Sequence, residues 1–268
     1  MRTILITGSS DGLGRYLALR LAERGDRVIV HGRSAERAAQ VREEIQRATG
    51  AADRADVLLA DFAELRQVDR LADEVLARHD RLDVLVNNAG IGGAPHAGRE
   101  LSRDGVELRF AVNYLAGYRL TERLLPLLRA SAPARVVNVA SVGQQAIDFD
   151  DPMLERGHTV MGAYAQSKLA QIMYTFDLAE RLDGALVNAL HPATFMDTTM
   201  VREGGIAPWN TVETGARAVL RLIDDADPGT GGYFDGERPA RADEQAYDRQ
   251  ARRRLTELSD TLIARALG

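Results

Sequence analysis

A chain of 268 residues with 45% hydrophobic content is long enough to bury a sizeable core, and one α/β domain is the expectation at this length. Its 34 basic and 39 acidic residues leave a formal charge of -5, spread without a basic stripe, which argues against nucleic acid as a partner. The lack of cysteine removes disulfides, thiolate metal sites and thiol nucleophiles together.

Short aliphatic runs alternate with helical-period segments, the pattern of βαβ units in a doubly wound parallel sheet of the Rossmann type. The first predicted strand, Thr3 to Thr7, runs directly into Thr7-Gly8-Ser9-Ser10-Asp11-Gly12-Leu13-Gly14, and a helix from Arg15 to Arg24 follows. Glycines there permit positive φ and a close backbone approach to a pyrophosphate, which the helix N-terminus attracts. Gly8, Ser10, Gly12, Leu13 and Gly14 are therefore candidate cofactor contacts. No signal-peptide core precedes this strand and no apolar stretch approaches a membrane span, so the cytoplasm is the default location.

The second strand, Arg27 to His31, should end in the group that reads the ribose, an acid for NAD or a base for NADP. It is followed by Gly32-Arg33-Ser34 with no carboxylate. Arg33 can grip a phosphate in bidentate fashion, so NADP(H) is the expected cofactor, with NAD(H) remaining possible. The third strand, Val57 to Ala60, leads into Asp61-Phe62, and the fourth, Leu82 to Val86, into Asn87-Asn88-Ala89-Gly90. Each composition suits a plain turn, but all lie at the strand edge where a dinucleotide would sit.

The fifth strand, Arg135 to Ala140, is followed by Ser141, and a helical segment then carries Tyr164 and Lys168. Four residues apart, these two share one helix face, where an ammonium should draw a phenol pKa down from about 10 toward operating pH. Ser141 can donate to the same substrate oxygen. Of the 34 basic residues, Lys168 is the only lysine. A compact ammonium required by chemistry explains its retention better than chance does. The sixth strand, Ala185 to Leu190, leads into His191-Pro192-Ala193-Thr194, and a weaker strand is predicted at Gly232 to Asp235. The end of the chain, about 243–268, reads as a docking tail or solvated helix without chemistry, its Leu255, Leu258, Leu262 and Ala266 at helical spacing. His31, His79, His96, His158 and His191 show no ligand spacing, so no metal is expected. His191 reads as structural.

Together, Thr7-Gly8-xxx-Gly12-x-Gly14, Asp61, Asn87-Asn88-Ala89-Gly90, Asn113, Ser141 and Tyr164-xxx-Lys168 resemble the motif set of the short-chain dehydrogenase/reductase family, over roughly residues 1 to 235. The resemblance implies an oxidoreductase acting on a small carbonyl or alcohol, with Tyr164 as acid/base and Ser141 orienting the carbonyl. It implies that Lys168 binds the nicotinamide ribose and that Asn113 holds a relay water. It also implies that Asp61 and Phe62 flank the adenine and that Asn88, Ala89 and Gly90 support the cofactor, with Pro192 and Thr194 beside the nicotinamide. Helices around Leu101 to Leu128 and Ala165 to Leu182 are apolar over wide faces, and in the family such helices form dimers or tetramers, so a homo-oligomer is expected. Two features depart from the family pattern: Pro192-Ala193 stands where Pro-Gly is usual, and 22 residues separate Ser141 from Tyr164. That long segment is similar to retinol-dehydrogenase-like and protochlorophyllide-reductase-like enzymes, and is expected to form part of a substrate pocket wall. A sensor or scaffold without turnover is the alternative, which the intact Ser141, Asn113, Tyr164 and Lys168 set argues against; an isomerase or epimerase fits less well for want of a separate substrate domain.

Overall fold

The structure is a computed structural model that describes residues 1–92 and 98–268. His96, one of the histidines weighed as a ligand, lies outside the described residues.

Among the described residues, seven parallel strands and one antiparallel edge strand form a single sheet. In chain order the first elements are β1 (Thr3–Ile6), α1 (Gly12–Glu23), β2 (Arg27–Gly32), α2 (Ala35–Thr49), β3 (Ala55–Leu59), α3 (Leu65–Arg78) and β4 (Val84–Asn87). A π-helical turn, Phe110–Leu115, then leads into α4 (Ala116–Ala130), β5 (Ala134–Val139), α5 (Val160–Arg181) and β6 (Ala185–His191). The chain closes with α6 (Thr199–Glu203), α7 (Val212–Asp224), β7 (Gly232–Asp235), β8 (Arg238–Pro239), a 3-10 turn (Glu244–Tyr247) and α8 (Arg249–Leu267). The strand order is β3-β2-β1-β4-β5-β6-β7-β8. The direction of winding reverses between β1 and β4, which opens a crevice at the carboxyl ends of those strands.

The predicted strands are present, with ends displaced by one or two residues. They were readable because both faces of the sheet are covered, so each strand is a nearly continuous aliphatic run. In β1, Leu5 enters the core under α3, α4 and α5, while Ile4 and Ile6 enter the core under α1, α2 and α7. All three are fully buried, so truncating any of them to alanine should cost about 2–5 kcal/mol. Helix starts follow the local chemistry. Asp11, Ser34, Thr159 and Thr211 each cap a helix by accepting from a backbone N–H of the first turn. The short β8, which ends in proline, carried no strand pattern and pairs antiparallel with β7 at the sheet edge.

The C-terminal region is not a loose tail. Leu255, Leu262 and Ile263 of α8 are buried in the core shared with α3, α4 and α5. Tyr114 is hydrogen-bonded to Ser259 at 2.8 Å and Tyr118 donates to Asp260 at 3.0 Å. Arg252, itself buried, pairs with Glu180 and Asp177 of α5. α8 thus covers part of the apolar surface of α3 and α5.

Candidate active site

The glycine turn after β1 is locked from two sides. Gly8 and Gly12 adopt φ of +64° and +51°, conformations that side-chain-bearing residues rarely take. A Cβ on Gly14 would fall 2.4 Å from the Gly8 carbonyl oxygen and 2.6 Å from the Asn88 amide nitrogen. Asn88 Nδ2 donates to the carbonyls of Thr7 (2.8 Å) and Gly8 (3.2 Å), while Thr7 Oγ1 accepts from the N–H groups of Asn88 and Ala89, both at 2.9 Å. Asp11 accepts from Gly12 N–H at 2.7 Å, and the next N–H groups of α1 are those a helix N-terminus leaves without intrahelical partners. The cradle therefore fits a pyrophosphate.

Two residues outside the sequence-based site set hold this turn. Thr7 is one. The other is His31, whose Nδ1 accepts from Gly8 N–H at 3.0 Å while Nε2 lies 3.2 Å from the Ala60 carbonyl. Those partners require a neutral ring protonated at Nε2, and burial pushes its pKa down to about 4. Phe62 is buried and stacks on His31 with ring centroids 4.5 Å apart. Asp61 accepts from Ala63 N–H at 3.0 Å and shapes the bend after β3. Ser10 sits over Gly32, where a Cβ would approach its hydroxyl to 2.6 Å. Arg33 is exposed at the end of β2, and Arg37, on the first turn of α2, reaches the Asp11 carboxylate at 3.8 Å on the same edge.

At the ends of β4 and β5 the second group of residues converges. Lys168 is buried, with Nζ donating to the Val139 carbonyl and to Gln171 Oε1, each at 2.9 Å. Its Nζ stands 5.6 Å from the centre of the Tyr164 ring. Desolvation lowers the Lys168 pKa to about 7. The sequence leads one to expect a lowered phenol pKa at Tyr164, but burial pushes it up and the hydrogen-bonded Ser141 hydroxyl offsets part of that rise. The ammonium is engaged by its own acceptors and does not reverse the effect. Ser141 Oγ accepts from Gly143 N–H at 3.0 Å, and the Ser141 carbonyl accepts from the Tyr233 hydroxyl at the same distance.

Asn113 lies in the π-helical turn. Its Nδ2 donates to Ser167 Oγ (2.9 Å) and the Ile91 carbonyl (3.1 Å), and its Oδ1 accepts from Ile91 N–H (2.7 Å). The side chain thus fastens the Gly90 turn to α5. A Cβ on Gly90 would reach within 3.4 Å of Asn113 Oδ1 and 3.5 Å of Lys168 Nζ. Glycine keeps that floor bare.

The segment after β6 closes over the glycine turn. Pro192 packs on Gly215, and Thr194 is held by His191 at 3.0 Å, the structural role expected of that histidine. Phe195 takes a φ of +46° and meets Trp209 edge-to-face at 4.9 Å. Thr199 donates to Asp11 at 2.7 Å, and Thr198 stands 3.2 Å from where a Gly12 Cβ would be. Among the described residues, no helix is long and apolar enough to cross a membrane.

The short chain dehydrogenase family model matches residues 2–206. Human retinol dehydrogenase 13 is 33% identical over 98% of this chain and 84% of its own length, and mouse retinol dehydrogenase 14 is 35% identical over 98% and 86%. Among solved structures, an uncharacterized protein from Mycobacterium paratuberculosis superposes with a TM-score of 0.80 at 29% identity, covering 98% of this chain and 94% of that one. A short chain dehydrogenase from Escherichia coli CFT073 complexed with NADPH gives a TM-score of 0.72 at 30% identity, covering 88% and 96%. The chain is a single-domain oxidoreductase fold of the short-chain dehydrogenase/reductase family. Within that family it falls in the retinol-dehydrogenase-like branch.

Proposed function

We propose that this chain is an NADP(H)-dependent reductase or dehydrogenase of apolar carbonyl or alcohol substrates. The observation that carries the reading is the placement of the sole lysine: buried, on one helix face with Tyr164, beside the Ser141 hydroxyl and the bare Gly90 floor. The dinucleotide would lie across the glycine turn, against Gly8, Ser10, Gly12, Leu13 and Gly14. Arg33 and Arg37 would receive a 2′-phosphate, and relatives crystallised with NADP or NADPH support that choice. When bound, it supplies or accepts the hydride.

The residues of the chain do the rest. Ser141 would donate to the substrate oxygen and fix its position, and Tyr164 would exchange a proton with that oxygen. Lys168 would bind the nicotinamide ribose and favour the phenolate when charged. Asn113, its side chain fully engaged, would fix the wall against which a relay water sits. Val142, Met161, Met200 and Trp209 are large apolar side chains left exposed on the segments bordering this edge, which suits a lipophilic substrate, and the retinol dehydrogenase relatives point the same way. The assembly we propose is a homodimer or homotetramer. The deciding experiment is NADPH oxidation against a panel of aldehydes, ketones and quinones that includes long polyene aldehydes; absence of turnover across the panel in both directions would overturn the reading.

A further inference from the structure

Gln171 lies one turn beyond Lys168 on α5, at the i, i+3 spacing that makes helix neighbours. It is buried, at 4% exposure, among the fully buried Leu169, Ala170, Ile172 and Met173. A buried primary amide among apolar neighbours is costly to desolvate and to order unless its polar atoms are used. Its oxygen is used: it accepts from Lys168 Nζ at 2.9 Å, while the Val139 carbonyl takes a second N–H at the same distance. An ammonium has three N–H groups, so this arrangement leaves one free for a ligand. The backbone of Gln171 is tied in turn, its carbonyl accepting from Thr175 at 2.7 Å, and Thr175 accepts from Asn138 of β5 at 2.8 Å.

We propose that Gln171 is a positioning residue of this site, whose amide oxygen aims the Lys168 ammonium and favours its charged form. The inference rests on the reading of Lys168 given above for its bearing on turnover. The titratable groups facing Lys168 are Tyr164 on the same helix and His191 on β6. The π-helical turn and the Gly90 loop bring only the neutral Asn113. On β7, Asp235 acts on His191, and Tyr233 is acted on by Tyr164. The charges of α8 that face α5 are met by Asp177 and Glu180, and Glu244 of the 3-10 turn is paired with Arg241. With no carboxylate facing the buried ammonium among the described residues, neutral oxygens alone offset its desolvation there, and losing one must shift the balance toward the free amine.

The single lysine makes this measurable without turnover. Lysine labelled with carbon-13 at Cε gives one side-chain resonance, and its shift against pH is the titration of Lys168. Gln171→Met keeps the side-chain volume and removes the acceptor, and should lower the midpoint by about one pH unit; Gln171→Glu should raise it by about one unit or more. If the methionine variant does not fold, the glutamate variant reads the same contact in the opposite direction. Midpoints in folded variants, judged by near-ultraviolet dichroism, that stay within about 0.3 units of the unchanged protein would overturn the proposal. The pH profile of kcat/KM separates the two ideas. A midpoint that moves while the activity profile stays fixed sustains the hold of Gln171 on Lys168 and counts against the role of Lys168 in turnover.

Discussion

Gln245 grips the backbone of Ile147 from both sides: its Oε1 accepts from the Ile147 N–H at 2.6 Å and its Nε2 donates to the Ile147 carbonyl at 3.0 Å. The two residues are 98 positions apart, so the contact joins the C-terminal 3-10 turn to the long segment between Ser141 and Tyr164. Gln144 of that segment reinforces the joint by accepting from Asp243 N–H at 2.8 Å. Gln245→Ala removes both bonds at once. We expect KM for the carbonyl substrate to rise by about tenfold, the equivalent of one buried bidentate contact, while NADPH affinity changes little. An unaltered ranking of substrates would show that this segment is no part of the pocket wall.

Removal of the phenol tests the chemistry directly. Tyr164→Phe should lower kcat by at least about a hundredfold with NADPH binding intact, because only the proton donor is lost. Activity within about tenfold of the unchanged protein would mean that the proton comes from elsewhere.

The sole lysine allows a chemical test as well. An amine-specific reagent meets only Lys168 and the α-amino group of Met1, and the terminus reacts first at mild pH because its pKa is about 8. NADPH should slow subsequent labelling of Lys168, and inactivation should follow that slower reaction. Labelling indifferent to saturating NADPH would remove Lys168 from the ribose site. In Lys168→Arg the charge survives but the compact donor does not, so turnover should collapse with the fold retained.

Arg33 and Arg37 share one edge of the crevice and should divide the recognition of a 2′-phosphate. Arg33→Asp should weaken NADPH binding by about tenfold or more and narrow or reverse its advantage over NADH. Equal affinities for the two nucleotides in the unmutated protein, measured by calorimetry, would contradict this.

His31 gives the fold a pH dependence with a definite sign. Its ring is neutral in the folded chain, with a pKa near 4 against 6.5 for the free side chain. Stability from this group is therefore complete above about pH 6.5 and is lost as the pH falls toward 4, where the unfolded chain takes up the proton first. Between pH 7.5 and 4.5 the loss should be about 2–3 kcal/mol, read by urea unfolding of the unchanged protein beside His31→Gln. A pH slope that is the same in both would mean that another group sets it.

What the sequence revealed and what it withheld divide along physical lines. Strands β1 to β7 were legible because both of their faces are buried, and the glycine turn because positive φ demands glycine at Gly8 and Gly12. Tyr164 and Lys168 were legible through helical spacing. Thr7, His31 and Gln171 were not, since each works through a hydrogen bond to a partner chosen by the fold. The stacking of Phe62 on His31 was likewise hidden, because it too depends on a partner brought by the fold. The spacing of Leu255 and Leu262 disclosed an amphipathic α8 without disclosing that α3 and α5 are its partners. Periodicity reports that a face is apolar; only tertiary structure reports what covers it.

The chain has one tryptophan, and it stands edge-to-face with Phe195 on the segment that crosses the glycine turn. Its indole is 72% exposed. All indole fluorescence from this protein therefore originates at one point on the border of the crevice. Titration with a reduced nicotinamide nucleotide, which absorbs where indole emits, should be readable as quenching and energy transfer from Trp209 alone, so the molecule carries its own optical gauge of how that segment settles over a bound ligand.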